Sequence, residues 1–278
     1  MTKYTIYKDY LEIENDDDFD IKHTLECGQV FRFKPTEFGY KLYAGVHKAD
    51  IICQKHTTKI FCKSPKFFVN YFDLETDYAK IKLDLKGDDM INRGISYGKG
   101  IRILKQDPIE TIISFIISAN NNIPRIKSII ENICKNYGEK FDDYFGFPTL
   151  EQLSGIELEF FKEIKCGYRD KYLFETIKML KEIDFESLKN LPTKELKTEL
   201  LKLKGVGGKV ADCILLFGFS KTDVFPTDTW IKKVYVEKTG DLKSSASKIS
   251  EYFVNLYGKN SGYAQQYLFY EKMNRDKE

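Results

Sequence analysis

The sequence predicts an α+β fold, a small N-terminal antiparallel sheet domain followed by a larger, wholly helical one. Three observations lead there. Short runs of β-branched and aromatic residues fill the chain from Tyr4 to about Lys63, helical periodicity takes over beyond about residue 86, and a glycine-rich turn joins two of the later helices. The expected domains are therefore 1–86 and 87–278.

In the first part, Gln29-Val30-Phe31-Arg32-Phe33 and Tyr40-Lys41-Leu42-Tyr43 read as strands, with Pro35 and Gly39 as turn residues. Ser64 before Pro65 opens a helix, because serine can cap free N–H groups and proline fits the first helical position. Asp107-Pro108-Ile109-Glu110 puts a capping acid three residues before a glutamate, and Ile109, Ile112, Ile113, Ile116 and Ile117 then share one helical face. Asn120-Asn121-Asn122 interrupts that face, since asparagine side chains compete for local backbone groups. A second helix runs from Pro124 towards Tyr137 and stops near Gly138. Further helices are expected around 158–164, 170–182, 193–203, 208–219, 247–257 and 262–272.

The bulk numbers exclude several classes. Of 278 residues, 42% are hydrophobic and 31% charged, the balance of a folded chain rather than a disordered one. Apolar stretches such as 111–119 are too short to span a bilayer, and Met1-Thr2-Lys3-Tyr4 begins no apolar signal core. A cytoplasmic protein without membrane contact is expected. The six cysteines, at 27, 53, 62, 134, 166 and 213, are too dispersed for a metal-ligand run, and the three histidines lie in the first fifth of the chain. No metal site, iron–sulfur cluster or histidine-based catalysis is expected. A net charge of +2 is weak evidence for a polyanionic partner, yet five lysines crowd 194–209 while 1–20 holds seven acids against two lysines. The lysine segment reads either as a footprint for a polyanion or as a solvated helix face.

Chemistry concentrates in Leu203-Lys204-Gly205-Val206-Gly207-Gly208-Lys209. Glycines there can bring backbone N–H groups close to a guest, and at a helix N-terminus those groups favour an anion such as phosphate, although a plain turn has the same composition. The following helix is apolar or small at every position through Phe219 except Lys209 and Asp212. A lysine in the first turn of a buried helix is out of place, because the helix dipole and desolvation both disfavour the ammonium form. A free amine is a nucleophile suited to forming a Schiff base with a sugar carbon, and the alternative is one more phosphate contact. Downstream, Val224-Phe225-Pro226-Thr227-Asp228 presents one acid on a proline-stiffened loop. That acid suits stabilisation of a cationic sugar, or simply capping of the next helix.

Together these segments resemble the hairpin, glycine/proline-rich loop and aspartate signature of the helix-hairpin-helix (HhH-GPD) DNA glycosylase superfamily, with Lys209 and Asp228 19 positions apart as in its lyase-competent members. Cys27-Gly-Gln-Val-Phe-Arg-Phe33, Gln106-Asp-Pro-Ile-Glu110 through Asn120-Asn-Asn-Ile-Pro-Arg125, Gly167-Tyr-Arg169 and Gly262-Tyr-Ala-Gln-Gln-Tyr-Leu-Phe269 extend the resemblance to the 8-oxoguanine DNA glycosylase/AP lyases. The lack of a cysteine quartet near the C-terminus separates the chain from the iron–sulfur glycosylases.

The resemblance implies a monomer that removes 8-oxoguanine, preferably opposite cytosine, from duplex DNA and cuts the strand by β-elimination through a lysine Schiff base. Its helical part would form two subdomains around the active-site cleft. Lys209 would be the nucleophile and Asp228 the supporting carboxylate. The flipped base would lie between Phe269 and Cys213, lined by Pro226, with Gln265 reading its edge and the Gly28 carbonyl accepting from its N7–H. Asn120 and Tyr168 would fill the vacated stack, Arg125 and Arg169 would hold the widowed cytosine, and Gly205 and Gly207 would grip phosphate. No cofactor is implied beyond a monovalent or divalent cation held by the hairpin backbone. Family members carry histidine where this chain has Trp230 and an acid where it has Lys272. A monofunctional alkylbase glycosylase lacks the hairpin lysine, and a non-catalytic DNA-gripping hairpin needs neither Lys209 nor Asp228.

Overall fold

The computed structural model describes residues 2–276. Strands β1 (Tyr4–Ile6), β2 (Tyr10–Glu14), β3 (Phe33–Thr36), β4 (Gly39–Ala44), β5 (His47–Cys53) and β6 (Thr57–Phe61) form one antiparallel sheet ordered β1-β2-β6-β5-β4-β3. Leu11, Ile60, Ile51 and Tyr40 stand opposite one another across four of these strands, so alternation gives the sheet one continuous apolar face. That face buries against Phe68, Val69 and Phe72 at helix α2 (Pro65–Tyr71), while α1 (Ile21–Glu26), on the connection from β2 to β3, adds Ile21 and Leu25 to the same core.

Two details of this region depart from expectation. Only Phe33 of the 29–33 run is in a strand, because the side chain of Gln29 commits its neighbourhood elsewhere. Its amide donates to the Thr24 and Arg102 carbonyls at 2.8 and 2.7 Å and accepts from the Leu104 N–H at 2.9 Å, holding the backbone as a loop. Pro35 is not a turn residue but sits in β3 opposite Tyr40, tolerated because β3 is the sheet edge and needs no outward donor. Ser64 does precede α2, without a side-chain cap bond.

The rest is helical: α3 (Tyr78–Leu85), α4 (Asp89–Tyr97), α5 (Pro108–Ser118), α6 (Ile123–Tyr137), α7 (Leu150–Ser154), α8 (Leu158–Glu163), α9 (Arg169–Leu180), α10 (Phe185–Lys189), α11 (Thr193–Leu200), α12 (Gly208–Gly218), α13 (Thr229–Thr239), α14 (Ala246–Tyr257) and α15 (Ser261–Arg275). Asp107 caps α5 by accepting from the Glu110 N–H at 2.9 Å, as its spacing suggests. Glu110 does not reciprocate. Its carboxylate is buried, takes the Gly45 N–H at 2.7 Å and faces Arg32, and burial pushes its pKa up to about 7.

Two apolar cores divide the helices. One spans α5 to α12, and the other joins α4 to α13, α14 and α15 and recruits Cys27 and Leu85. α4 is thus packed along α15 although most of the sequence lies between them. The seam between the two cores is where the predicted chemistry converges.

Candidate active site

The hairpin between α11 and α12 is shaped by its glycines. Gly205 has φ +78°, and a Cβ there would come within 2.9 Å of the Tyr172 side chain. Its neighbour Gly207 is extended and starts α12 without any side-chain cap, so the first N–H groups of that helix have no partner among the described residues. Thr176 donates to the Lys204 carbonyl at 2.7 Å and ties the turn to α9. Of the lysines here, Lys197 pairs with buried Asp212 at 2.5 Å and Lys202 with Glu199 at 2.6 Å, whereas Lys194 and Lys204 have no ion pair among the described residues. The footprint is thus half neutralised internally.

Helical spacing puts Lys209, Cys213 and Phe217 on one face of α12. The Lys209 Nζ lies 5.3 Å from the ring centroid of Phe115, which stacks on Phe217 at 5.5 Å. Burial pushes the Cys213 thiol up to about 11 against the pull of the adjacent Lys209 cation.

Asp228 reaches the same place from the other core. Val224, Phe225, Pro226 and Thr227 are buried, with Phe225 stacked on Phe253 at 4.4 Å, so the loop before it is anchored. Asp228 caps α13, its Oδ1 accepting from the Ile231 N–H at 2.9 Å. Burial raises its pKa above the ordinary carboxylate range, opposed by that N–H, by Lys209 and by the Trp230 N–H. Capping and proximity to Lys209 therefore coexist in one side chain.

One pocket collects these groups, lined by Lys209, Cys213, Asp228 and Pro226 together with Gly28, Gln265 and Phe269. Every expected catalytic and base-contacting residue is there. The pocket also includes Phe115, Phe217, Cys27 and Gln266, none of which was expected. Gln266 had a signal, an amide adjacent to Gln265 on a helix buried almost all round. The others come from elements whose meeting no local pattern announces. The cavity is small, about 50 Å³. Gly28, at φ +80°, would bring a Cβ to 3.2 Å from the Phe269 ring, so that ring packs against the glycine.

A second cluster lies beyond the hairpin. Asn120 is exposed at φ 50° in the loop between α5 and α6, while Asn122 caps α6 by accepting from the Arg125 N–H at 3.0 Å. Arg125 is exposed and donates to the Lys165 carbonyl at 2.6 Å. Arg169 behaves differently: it is 4% exposed and gives its donors to the carbonyls of Ala119, Asn120 and Cys166, at 2.8, 2.7 and 3.1 Å, with its guanidinium 4.4 Å from the Tyr168 ring centroid. Tyr168 is 54% exposed and donates to the Ala119 carbonyl at 3.1 Å. Lys272 turns away from the pocket into ion pairs with Glu237 and Asp276, and Trp230 stacks under Lys233 at 4.3 Å.

No group of three or more histidine, cysteine or acidic residues among the described residues is arranged to hold a metal ion, and none of their helices is long and apolar enough to cross a membrane.

Comparison with known proteins agrees with this geometry. Residues 11–112 match the family described as 8-oxoguanine DNA glycosylase, N-terminal domain, and 113–258 match the HhH-GPD superfamily base excision DNA repair proteins. The chain is 30% identical to an N-glycosylase/DNA lyase of Arabidopsis thaliana, over 88% of this chain and 75% of the relative. It superposes with a TM-score of 0.92 on a Clostridium acetobutylicum 8-oxoguanine glycosylase/lyase bound to duplex DNA with cytosine opposite the lesion, at 36% identity over 99% and 98% of the two chains. A 3-methyladenine DNA glycosylase from Archaeoglobus fulgidus, 17% identical over 94% and 98% of the two chains, shares the fold with a TM-score of 0.76. Both the sheet-bearing N-terminal part and the helical part are matched, and the chain belongs to the 8-oxoguanine DNA glycosylase/lyases of the HhH-GPD superfamily.

Proposed function

We propose that this chain excises 8-oxoguanine from duplex DNA and cleaves the resulting strand through a Schiff base on Lys209. The observation that carries this is the meeting of Lys209, Asp228 and the Gly28–Phe269 wall around one pocket at the seam of two cores. The Lys209 amine, having given up its ammonium proton, adds to C1′ of the deoxyribose while the base leaves with the electron pair of the N-glycosidic bond and takes up a proton. Positive charge develops on the sugar, and the Asp228 carboxylate stabilises it in a site of low dielectric. The adduct's amine proton passes to O4′ as the C1′–O4′ bond breaks, which opens the ring and gives a protonated imine. Removal of a C2′ proton then expels the 3′ phosphate.

The base is read on two sides. 8-oxoguanine carries an N7–H donor where guanine has an acceptor, so a carbonyl at Gly28 accepts from one and repels the other. Gln265 faces the opposite edge. Outside the pocket, Asn120 and Tyr168 stand where the vacated stack needs filling, and Arg125 has donors free for the N3 and O2 acceptors of cytosine. Arg169 supports this reading by holding the Asn120 loop. The unpaired N–H groups at Gly207 and Gly208 fit a phosphate. The carbonyls of Gly205 and Val206 accept no hydrogen bond among the described residues and fit a backbone-held cation beside it.

Borohydride trapping on duplex DNA with one 8-oxoguanine tests the assignment. The wild type is expected to form a stable protein–DNA link and Lys209→Gln none. Undiminished trapping by that variant moves the nucleophile elsewhere.

A further inference from the structure

Gln266 is 3% exposed, lines the base pocket and lies next to Gln265, which is 4% exposed. Its Nε2 donates to the Gln265 Oε1 at 2.8 Å. Its own Oε1 is buried with no partner, an unusual state for an amide oxygen and one that a donor entering the pocket would relieve. The Gln265 nitrogen makes no hydrogen bond among the described residues.

We propose that Gln266 is a specificity-determining residue acting with Gln265 as a two-amide reader of the guanine-type edge, an inference that rests on the proposed placement of the base. With N7–H directed at Gly28, the far edge of the ring carries the O6 acceptor and the N1–H and 2-amino donors. The bond from Gln266 takes one lone pair of the Gln265 oxygen and fixes that amide's orientation, leaving its nitrogen, a donor, free to face O6. The orphaned Gln266 oxygen then accepts from the 2-amino group. An adenine-type edge reverses this order, setting its 6-amino group against the Gln265 donors and offering nothing to the Gln266 oxygen. The first glutamine thus depends on the second for its orientation, and the second completes its bonding only when the right base is present.

The test compares single-turnover excision of 8-oxoguanine and 8-oxohypoxanthine, which lacks only the 2-amino group, each opposite cytosine. The wild type is expected to favour 8-oxoguanine by about tenfold over the value seen in Gln266→Met, whose side chain has similar length and no amide. Taking the change in the ratio cancels the weaker pairing of the analogue, which affects both proteins alike. Gln266→Ala serves as a second variant without added bulk. Trapping on an abasic duplex, which needs Lys209 and no base, certifies that a variant is intact. An unchanged ratio in either trapping-competent variant overturns the inference and leaves the Lys209 assignment standing, whereas persistent trapping by Lys209→Gln overturns that assignment instead.

Discussion

The base pocket and the strand-facing loop cluster solve opposite problems. The pocket is built on regular elements: Lys209 in the first turn of α12, Asp228 as the cap of α13, Gln265 and Phe269 one turn apart on α15. The cluster is built on irregular backbone, with Asn120 at φ 50°, Lys165 at φ 60° and Gly167 at φ 64°. Helices fix reacting atoms to within a fraction of an ångström, which bond-making demands. Loops can present side chains outward into a duplex, and here a buried arginine holds them instead of a helical ladder. The groups proposed for catalysis are thus half-buried in the pocket, and those proposed to meet the second strand are exposed.

That contrast can be broken first at Asp228. Asp228→Asn keeps the cap, so base release is expected to slow about 10²–10³-fold in single-turnover excision with no loss of fold. Stability should move the other way. A carboxyl whose pKa is raised on folding contributes stability at low pH that is lost as pH rises through the folded value. The amide escapes that loss, and thermal melts at pH 8 should put the variant level with the wild type or above it. An unchanged excision rate would leave Asp228 a cap and nothing more.

Arg125→Met tests the exposed region. A pair of contacts to cytosine discriminates by about 1–3 kcal/mol, so the preference for that partner should shrink roughly five- to a hundredfold when excision is measured opposite all four bases. An equal loss opposite all four makes Arg125 a phosphate contact. Arg169→Met sharpens the division of labour between the two arginines. Stripping three carbonyls of their donor should cost about 1–3 kcal/mol of stability and weaken DNA binding evenly, leaving the partner-base ratios alone. A change in those ratios would mean that Arg169 also reads the base.

The legibility of the molecule follows the same divide. Lys209 and Asp228 were readable because each breaks a local rule: a cation sits at a helix N-terminus, and a lone acid ends a proline loop. The long helices were readable from their caps and isoleucine spacing. Phe115 and Cys27 could not be placed in the pocket, since Phe115 reaches it from one core and Cys27 from the other. Residues 29–32 misled because their strand-like composition is overruled by one amide bonding to segments more than seventy residues away. Arg169 looks like Arg125 in sequence, and only packing separates a buried guanidinium spent on three carbonyls from an exposed one that bonds the Lys165 carbonyl alone.

On the proposed placement of the base, the ring of Phe269 against Gly28 would give recognition a clock. A flipped base would wait outside while the ring swings clear, damaged and normal bases alike. A base that slips back into the stack sooner would never be presented to the Gly28 carbonyl, so the search along DNA would proceed without drawing in each nucleotide. The rate of one aromatic rotation would thereby set how long a base must stay extrahelical before its chemistry is inspected. A smaller side chain at this position would shorten that interval, admitting more bases per unit time and sorting them less well.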